Sequence, residues 1–262
     1  MKVKLIQITQ NPVDVMWTAA RTCYSEQSPI DIWENRNGNV EDEYEHTQEY
    51  IEQAVDNRWN LVKKVLDSGH QSVAEHVYFT FVIEGISRSC SHQLVRHRHC
   101  TFSQQSQRYV EIKENLNQLQ NLIIRPSSEK EQLKEVAEKY FVDVTDDNYM
   151  GYLYALREYL RAVKGGTKPE DARQILPNAT KTNIVMSLNY RELIHICNLR
   201  LCSRAQAEIR KLFKAIVDEV REVEPKLTEY LVPQCEVFGI CTEHKCCGRK
   251  PKLKDVLKEG QP

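Results

Sequence analysis

The chain has 262 residues, with 36 Lys plus Arg against 37 Asp plus Glu and a formal net charge of −1. That balance argues against a protein built to coat nucleic acid, which needs a broad basic excess to neutralise phosphates. At 41% hydrophobic and 28% charged, with only 9 Gly and 9 Pro, it is too apolar for disorder and unlike collagen or low-complexity sequence.

Residues 2–9 are rich in aliphatic and β-branched side chains and predict a strand. Val3 and Leu5 share one face while Ile6 and Ile8 fall on the other, so both faces are expected to be partly covered. Charge alternates with aliphatics over residues 1–5, which is not the pattern of a secretory signal. No stretch reaches the ~20 apolar residues of a membrane helix. A cytoplasmic protein is expected, with its 9 cysteines as reduced thiols. A short helix is predicted over residues 17–23, then a polar, acidic surface insertion over 25–46. A helix over 47–67 follows, with Ile51, Ala54, Val55, Trp59, Val62 and Leu66 spaced for one apolar face and Gly69 just past its end.

Residues 76–83, HVYFTFVI, predict a largely buried strand, and 86–95 a helical stretch leading into Arg96. Residues 129–163 read as helix in two pieces, broken at 143–148. Another strand is predicted over 180–188. Asn189 then stands as a helix cap with Glu192 three positions on, close to a capping box. Residues 203–223 make a strongly amphipathic helix. With no internal repeat and no long linker, strands interleaved with helices predict an α+β or α/β domain.

The segment 85–110 carries Arg88, Arg96, Arg98 and Arg108 with His92, His97 and His99, and not one Asp or Glu. In a nearly neutral chain this is segregated positive charge, a patch that attracts an anion. Ser103, Gln104, Gln105, Ser106 and Gln107 add short hydrogen-bonding groups, and Arg binds phosphate oxygens bidentately while staying charged. Three readings compete on composition: a solvated basic helix end whose Arg98 and Arg108 pair with distant acids, a small phosphorylated ligand, or nucleic acid. Phe102 and Tyr109 are the segment's only aromatics, which disfavours a base-stacking platform. Ser106 lacks a nearby carboxylate to orient a catalytic base for it, so it is read as a binding residue.

Arg96-His97-Arg98, seven residues, then Ser106 resembles the RHR-x7-S signature of the flavin-dependent thymidylate synthases. GHQSVAEH (69–76), EDARQILP (170–177) and NYRELIHICNLR (189–200) resemble further blocks of that family in the same order, so the resemblance covers roughly residues 1–232. It implies an α+β subunit with a mixed or antiparallel sheet flanked by helices. It also implies a homotetramer whose active sites are shared between subunits.

The implied activity is synthesis of dTMP from dUMP, with 5,10-methylenetetrahydrofolate as carbon donor, FAD as bound cofactor and NADPH as reductant; no partner in nucleic acid or membrane is implied. By the same resemblance Arg200 is catalytic. Gln93, Leu94, Val95, Arg96, Gln104, Gln105, Ser106, Gln107, Arg108, Arg173 and Arg200 contact dUMP. Ser72, Arg96, His97, Arg98, Gln104, Asn189, Tyr190, Arg191 and His195 contact FAD, with His70 near the active site. No protein nucleophile and no metal is implied. Some relatives carry Glu where this chain has Gln104, an amide that still hydrogen-bonds but cannot act as a carboxylate. The absence of GxGxxG leaves a Rossmann mode of flavin binding unsupported.

Residues 233–262 form an expected tail bearing Cys235, Cys241, His244, Cys246 and Cys247, followed by Arg249, Lys250, Lys252 and Lys254. Zinc, a redox-labile thiol cluster or plain reduced cysteines all remain open there, because thiolate and imidazole suit zinc but paired CxxC spacing is missing.

Overall fold

Period-two alternation builds the sheet. In the computed structural model, which describes residues 1–36, 48–124 and 129–259 (backbone only at 48–51 and 258–259), the strands are β1 (Lys2–Ile8), β2 (Tyr78–Ser87), β3 (Thr101–Gln104) and β4 (Lys181–Asn189). They lie in the order β1-β2-β4-β3. Thr9 pairs with Tyr78 and Gln7 with Thr80, so β1 and β2 run antiparallel. Thr80 meets Ser187 and Gly85 meets Asn183, which makes β2 and β4 antiparallel as well. Along β4, Thr182, Ile184, Met186 and Leu188 point inward while Asn183 and Val185 are exposed.

The helices are α1 (Pro12–Thr22), α2 (Pro29–Glu34), α3 (Gln48–Asp67), α4 (Arg88–Leu94), α5 (Leu116–Ile124) and α6 (Lys130–Tyr140). After them come α7 (Tyr149–Lys164), α8 (Pro169–Ala172), α9 (Tyr190–Arg200), α10 (Ala207–Val223), α11 (Gln234–Phe238) and α12 (Leu253–Glu259). The residues fall into two compact units. One comprises 1–2, 82–98 and 102–185, and the other 3–81, 99–101 and 186–262, so residues 233–262 belong to the second unit.

In the first unit α5, α6 and α7 close a core of Leu119, Ile123, Leu133, Ala137, Phe141, Leu153, Leu156 and Tyr159. The predicted break between two helical pieces is real: Asp143 takes φ 51° and the Asn148 side chain accepts from Thr145 N. In the second unit α10 buries Ile209, Leu212, Phe213, Ile216, Val217 and Val220, a stripe at i, i+3, i+4 spacing that contributes about 1.5–3 kcal/mol per side chain. Helix α3 ends where expected. Gly69, at φ 84°, donates to Leu66 O and His70 to Val65 O, the paired bonds of a left-handed glycine stop.

Several boundaries differ from the sequence reading. Strand β2 runs on through Ser87, and only there does α4 start, with the Ser87 hydroxyl accepting from Cys90 N. The predicted helix over 17–23 begins five residues earlier, at Pro12, because proline suits a first helical turn. The predicted helix over 203–223 begins at Ala207. The stretch read as a polar insertion contains α2, capped by Ser28 and pinned by buried Ile32, while 37–46 lies outside the described residues. On α3, Trp59, Val62 and Leu66 are buried as expected, and the side chain of Ile51 lies outside the described set.

Arg58 is buried on that same apolar face, which periodicity did not foresee. Its Nε donates to Asp14 at 2.7 Å, and Arg36 reaches the other oxygen of the same carboxylate at 3.3 Å. Asp14 therefore ties α1 to α3 and to the end of α2. Substituting Asp14→Ala leaves a buried guanidinium without its carboxylate and is expected to cost about 3–5 kcal/mol of unfolding free energy. Chemical denaturation checks this, and a loss under about 1 kcal/mol would show the pair to be dispensable.

Candidate active site

Helix α4 ends at Leu94, whose side chain is fully buried, and Val95 N closes the last turn on Ser91 O. His97 N then bonds Leu94 O, and the turn leaves Arg96 and Arg98 exposed on either side of a buried His97. The signature thus has two outward guanidinium groups and one inward imidazole. Gln93 is half-buried and Val95 exposed. The Leu94 side chain is fully buried, so it offers a ligand only its main chain.

Gln104 ends β3 with its amide held between two hydroxyls. Nε2 donates to Ser91 Oγ at 3.0 Å and to Thr182 Oγ1 at 3.2 Å, while Ser91 itself donates to Arg88 O. A glutamate here could not supply those donors, so the amide is suited to this pocket on its own terms. Gln105 is tied to Asn183 through N to O (2.9 Å) and through their side chains (3.1 Å). Gln105, Ser106 and Gln107 border a cleft of about 520 Å³ with Lys113, Lys139 and Lys181. Ser106 Oγ accepts from Arg108 N, which stabilises the turn.

Beyond the turn, Glu170 organises two arginines. Its carboxylate takes Arg108 Nε at 2.9 Å and its carbonyl takes Arg173 Nε at 3.0 Å. Arg88 lies close enough to Arg173 that burial first, and the neighbouring charge second, pull its guanidinium below its ordinary pKa. Glu170 thus holds Arg108 by its carboxylate and Arg173 by its carbonyl, with Arg88 near the second of them. Such a cluster gains from a polyanion. Arg88 was visible in the sequence only as part of the basic stretch, and the role of Glu170 was not visible at all.

In the second unit β4 runs directly into α9. Asn189 caps the helix, its side chain accepting from Glu192 N at 2.9 Å. Asn189, Arg191 and His195 border a concavity of about 520 Å³ together with Gln71, Glu75, His99 and Glu192. Arg191 is ion-paired with Glu75. Ser72 is exposed next to Gln71 but does not line the cleft, His70 is exposed too, and Arg200 is half-buried as the last residue of α9. The Tyr190 ring is fully buried, its hydroxyl donates to Leu227 O at 2.6 Å, and its N–H to Val77 O. It anchors the helix and offers no side chain to a cofactor.

No activated thiol stands at either cleft. Burial first, and the Glu192 charge second, push Cys100 up to about 12; burial alone raises Cys197 further. Among the described residues no set of three His, Cys, Asp or Glu is close enough, as placed, to hold a metal. None of the helices among the described residues is long and apolar enough to cross a membrane.

The family model described as thymidylate synthase complementing protein matches residues 4–226. The chain belongs to that family. Relatives named flavin-dependent thymidylate synthase include that of Clostridium tetani, 36% identical over 98% of this chain and 96% of its own. That of Geobacter sulfurreducens is 35% identical over 99% of both, and that of Sulfolobus acidocaldarius 37% identical over 90% of this chain and 78% of its own. The chain is an enzyme of this class. The 98% coverage by the C. tetani protein carries the likeness past residue 232 and into the cysteine-bearing tail.

Two structures of the Helicobacter pylori flavin-dependent thymidylate synthase, both described as holding FAD and dUMP, match over 88% of this chain. At TM-scores of 0.63 and 0.66 and identities of 23% and 24%, they show that the α+β fold is shared.

The thiol chemistry is directly testable. With its pKa raised from 9.0 to about 12, Cys100 holds roughly a thousandth of the thiolate of an ordinary cysteine at pH 8. Iodoacetamide at pH 8 is expected to leave Cys100 and Cys197 intact while exposed Cys23 is alkylated, as read by peptide mass spectrometry. Cys100 labelling as fast as Cys23 would contradict the shift.

Proposed function

We propose that this chain synthesises dTMP by reductive methylation of dUMP, with 5,10-methylenetetrahydrofolate as carbon donor and NADPH as reductant through bound FAD. The observation that carries the reading is the pairing of Arg108 and Arg173 with Glu170, with Arg88 beside Arg173. A nucleotide 5′-phosphate is a dianion that relieves the repulsion among those cations, and two or three charge-assisted bonds fix its position. Gln93–Arg96 and Gln104–Gln107 then stand as the candidates for holding the sugar and base.

Arg200 is the residue to polarise the pyrimidine at N3. A guanidinium stays charged at any working pH and stabilises negative charge developing on the ring. No protein nucleophile enters this scheme, in keeping with the neutral Cys100 and with the Ser106 hydroxyl engaged in its turn.

The donor set around α9 suits an anionic dinucleotide cofactor. Arg191, His99 and His195 border the cleft at the start of an 11-residue helix, where the helix dipole favours negative charge. Of the two carboxylates there, Glu75 is engaged by Arg191, so an incoming phosphate exchanges one anionic partner for another. When bound, FAD supplies the hydride chemistry between reductant and nucleotide. Ser72, Arg96, His97, Arg98 and Gln104 complete the set assigned to it. Four copies of the chain sharing their sites complete the assembly.

The visible spectrum of the purified protein tests the core of this reading. A flavin spectrum that shifts on adding dUMP is expected; a protein that stays colourless after FAD is supplied would sink it. Arg173→Ala is expected to raise KM for dUMP by roughly 10- to 100-fold, the loss of one charge-assisted contact worth about 1.5–3 kcal/mol, with a smaller change in kcat. An unchanged KM would move the phosphate elsewhere. Mixed tetramers of Arg96→Ala and Arg200→Ala subunits are expected to regain part of the activity each variant lacks. Verified mixed tetramers with no recovery would count against shared sites.

A further inference from the structure

Cysteines from three stretches of the second unit meet at its C-terminal end. Cys202 follows α9, Cys235 lies in α11, and Cys241 and Cys247 lie on the loop that leads to α12. These four line one small cavity of about 50 Å³.

The loop is closed on itself. Cys241 bridges in parallel to Lys252, with Cys241 N on Pro251 O at 2.7 Å and Leu253 N on Cys241 O at 3.1 Å. Its sulfurs accept main-chain N–H groups from two residues further on: Glu243 to Cys241, Gly248 to Cys246 at 3.3 Å, and Arg249 to Cys247. The Ser203 hydroxyl adds a bond to Cys247. Gly248, at φ +85°, makes the turn that carries Arg249 N back over Cys247, a conformation a side chain would resist. These bonds fix the sulfurs of Cys241 and Cys247 at the wall of the cavity. Arg204, Lys245 and Arg249 border the same cavity against the one carboxylate of Glu243.

We propose that Cys202, Cys235, Cys241 and Cys247 bind one zinc ion. Zinc takes four thiolates in a tetrahedron at about 2.3 Å, and a structural site of this kind has no open position. Because the four sulfurs are not within metal-holding distance as placed, binding draws them into the cavity by side-chain rotation. It also releases the protons they still carry. Four thiolates around Zn²⁺ leave a net charge of −2, which the three bordering cations offset. Cys246 is left out because it does not line the cavity and its S–H donates to Lys250 O at 3.3 Å. Cys202 stands two residues beyond Arg200, so the ion fastens the end of α9 to the tail.

The test uses the full chain, purified without chelator and under argon. One zinc per chain is expected by elemental analysis and native mass spectrometry. Replacing it with Co²⁺ is expected to give the intense visible bands of a tetrahedral thiolate site. Each of Cys202→Ser, Cys235→Ser, Cys241→Ser and Cys247→Ser is expected to lower retained zinc at least tenfold, while Cys246→Ser and Cys23→Ser retain it. The cobalt spectrum needs no variant, so it remains decisive if a substitution prevents folding. Zinc well below one per chain with no cobalt bands overturns the proposal. So does a disulfide among the four in unreduced peptide maps of zinc-free protein. Loss of zinc in Cys246→Ser overturns the ligand set.

Discussion

Helix α9 presents a working face because its first residue is pulled inward. Tyr190 has no exposed surface, its hydroxyl is bonded to Leu227 O and its N–H to Val77 O. Burial holds the phenol well above its ordinary pKa, so it stays a neutral donor and the anchor does not titrate in the working range. Once Tyr190, Leu193, Ile194, Ile196 and Cys197 face the core, the helical turn leaves Arg191, His195 and Leu199 outside. The Asn189 cap fixes where that pattern starts. The exposed face of the helix is what remains after its hydrophobic face is satisfied.

Charge is managed differently in the first unit. Glu170, far along the sequence from the acid-free run, holds Arg108 of that run through its carboxylate and Arg173 through its carbonyl. A half-buried Arg88 beside Arg173 leaves the cluster with excess positive charge. That excess is unfavourable for folding and favourable for binding a dianion, a trade commonly found at functional sites. Gln104 donates through its amide to two hydroxyl oxygens, which an ionised carboxylate could not do.

The nine cysteines divide by environment. Cys90 and Cys197 are buried among apolar groups, and burial keeps Cys197 a thiol, so such residues behave as small hydrophobes. At the C-terminal end Cys202, Cys235, Cys241 and Cys247 instead border one cavity with Arg204, Lys245 and Arg249, and Cys247 alone is drawn toward thiolate, by bonds from the Ser203 hydroxyl and Arg249 N. One residue type thus serves packing in one place and a candidate ligand set in another.

Much of this was legible in the residues alone. Hydrophobic period placed β4, α3 and α10, local chemistry placed the Asn189 cap and the Gly69 stop, and the spacing of Arg96, His97, Arg98 and Ser106 pointed to the family, because each of these signals lies within a few neighbouring positions. Contacts between distant positions left no such mark. That Arg58 is buried against Asp14, that Leu94 and Tyr190 are core side chains, and that Glu170 gathers Arg108 and Arg173 all depend on which segments meet in space. The local sequence determined the elements and the identity of the chemistry. Tertiary packing decided which of the candidate side chains reach a cleft and which are used up holding it open.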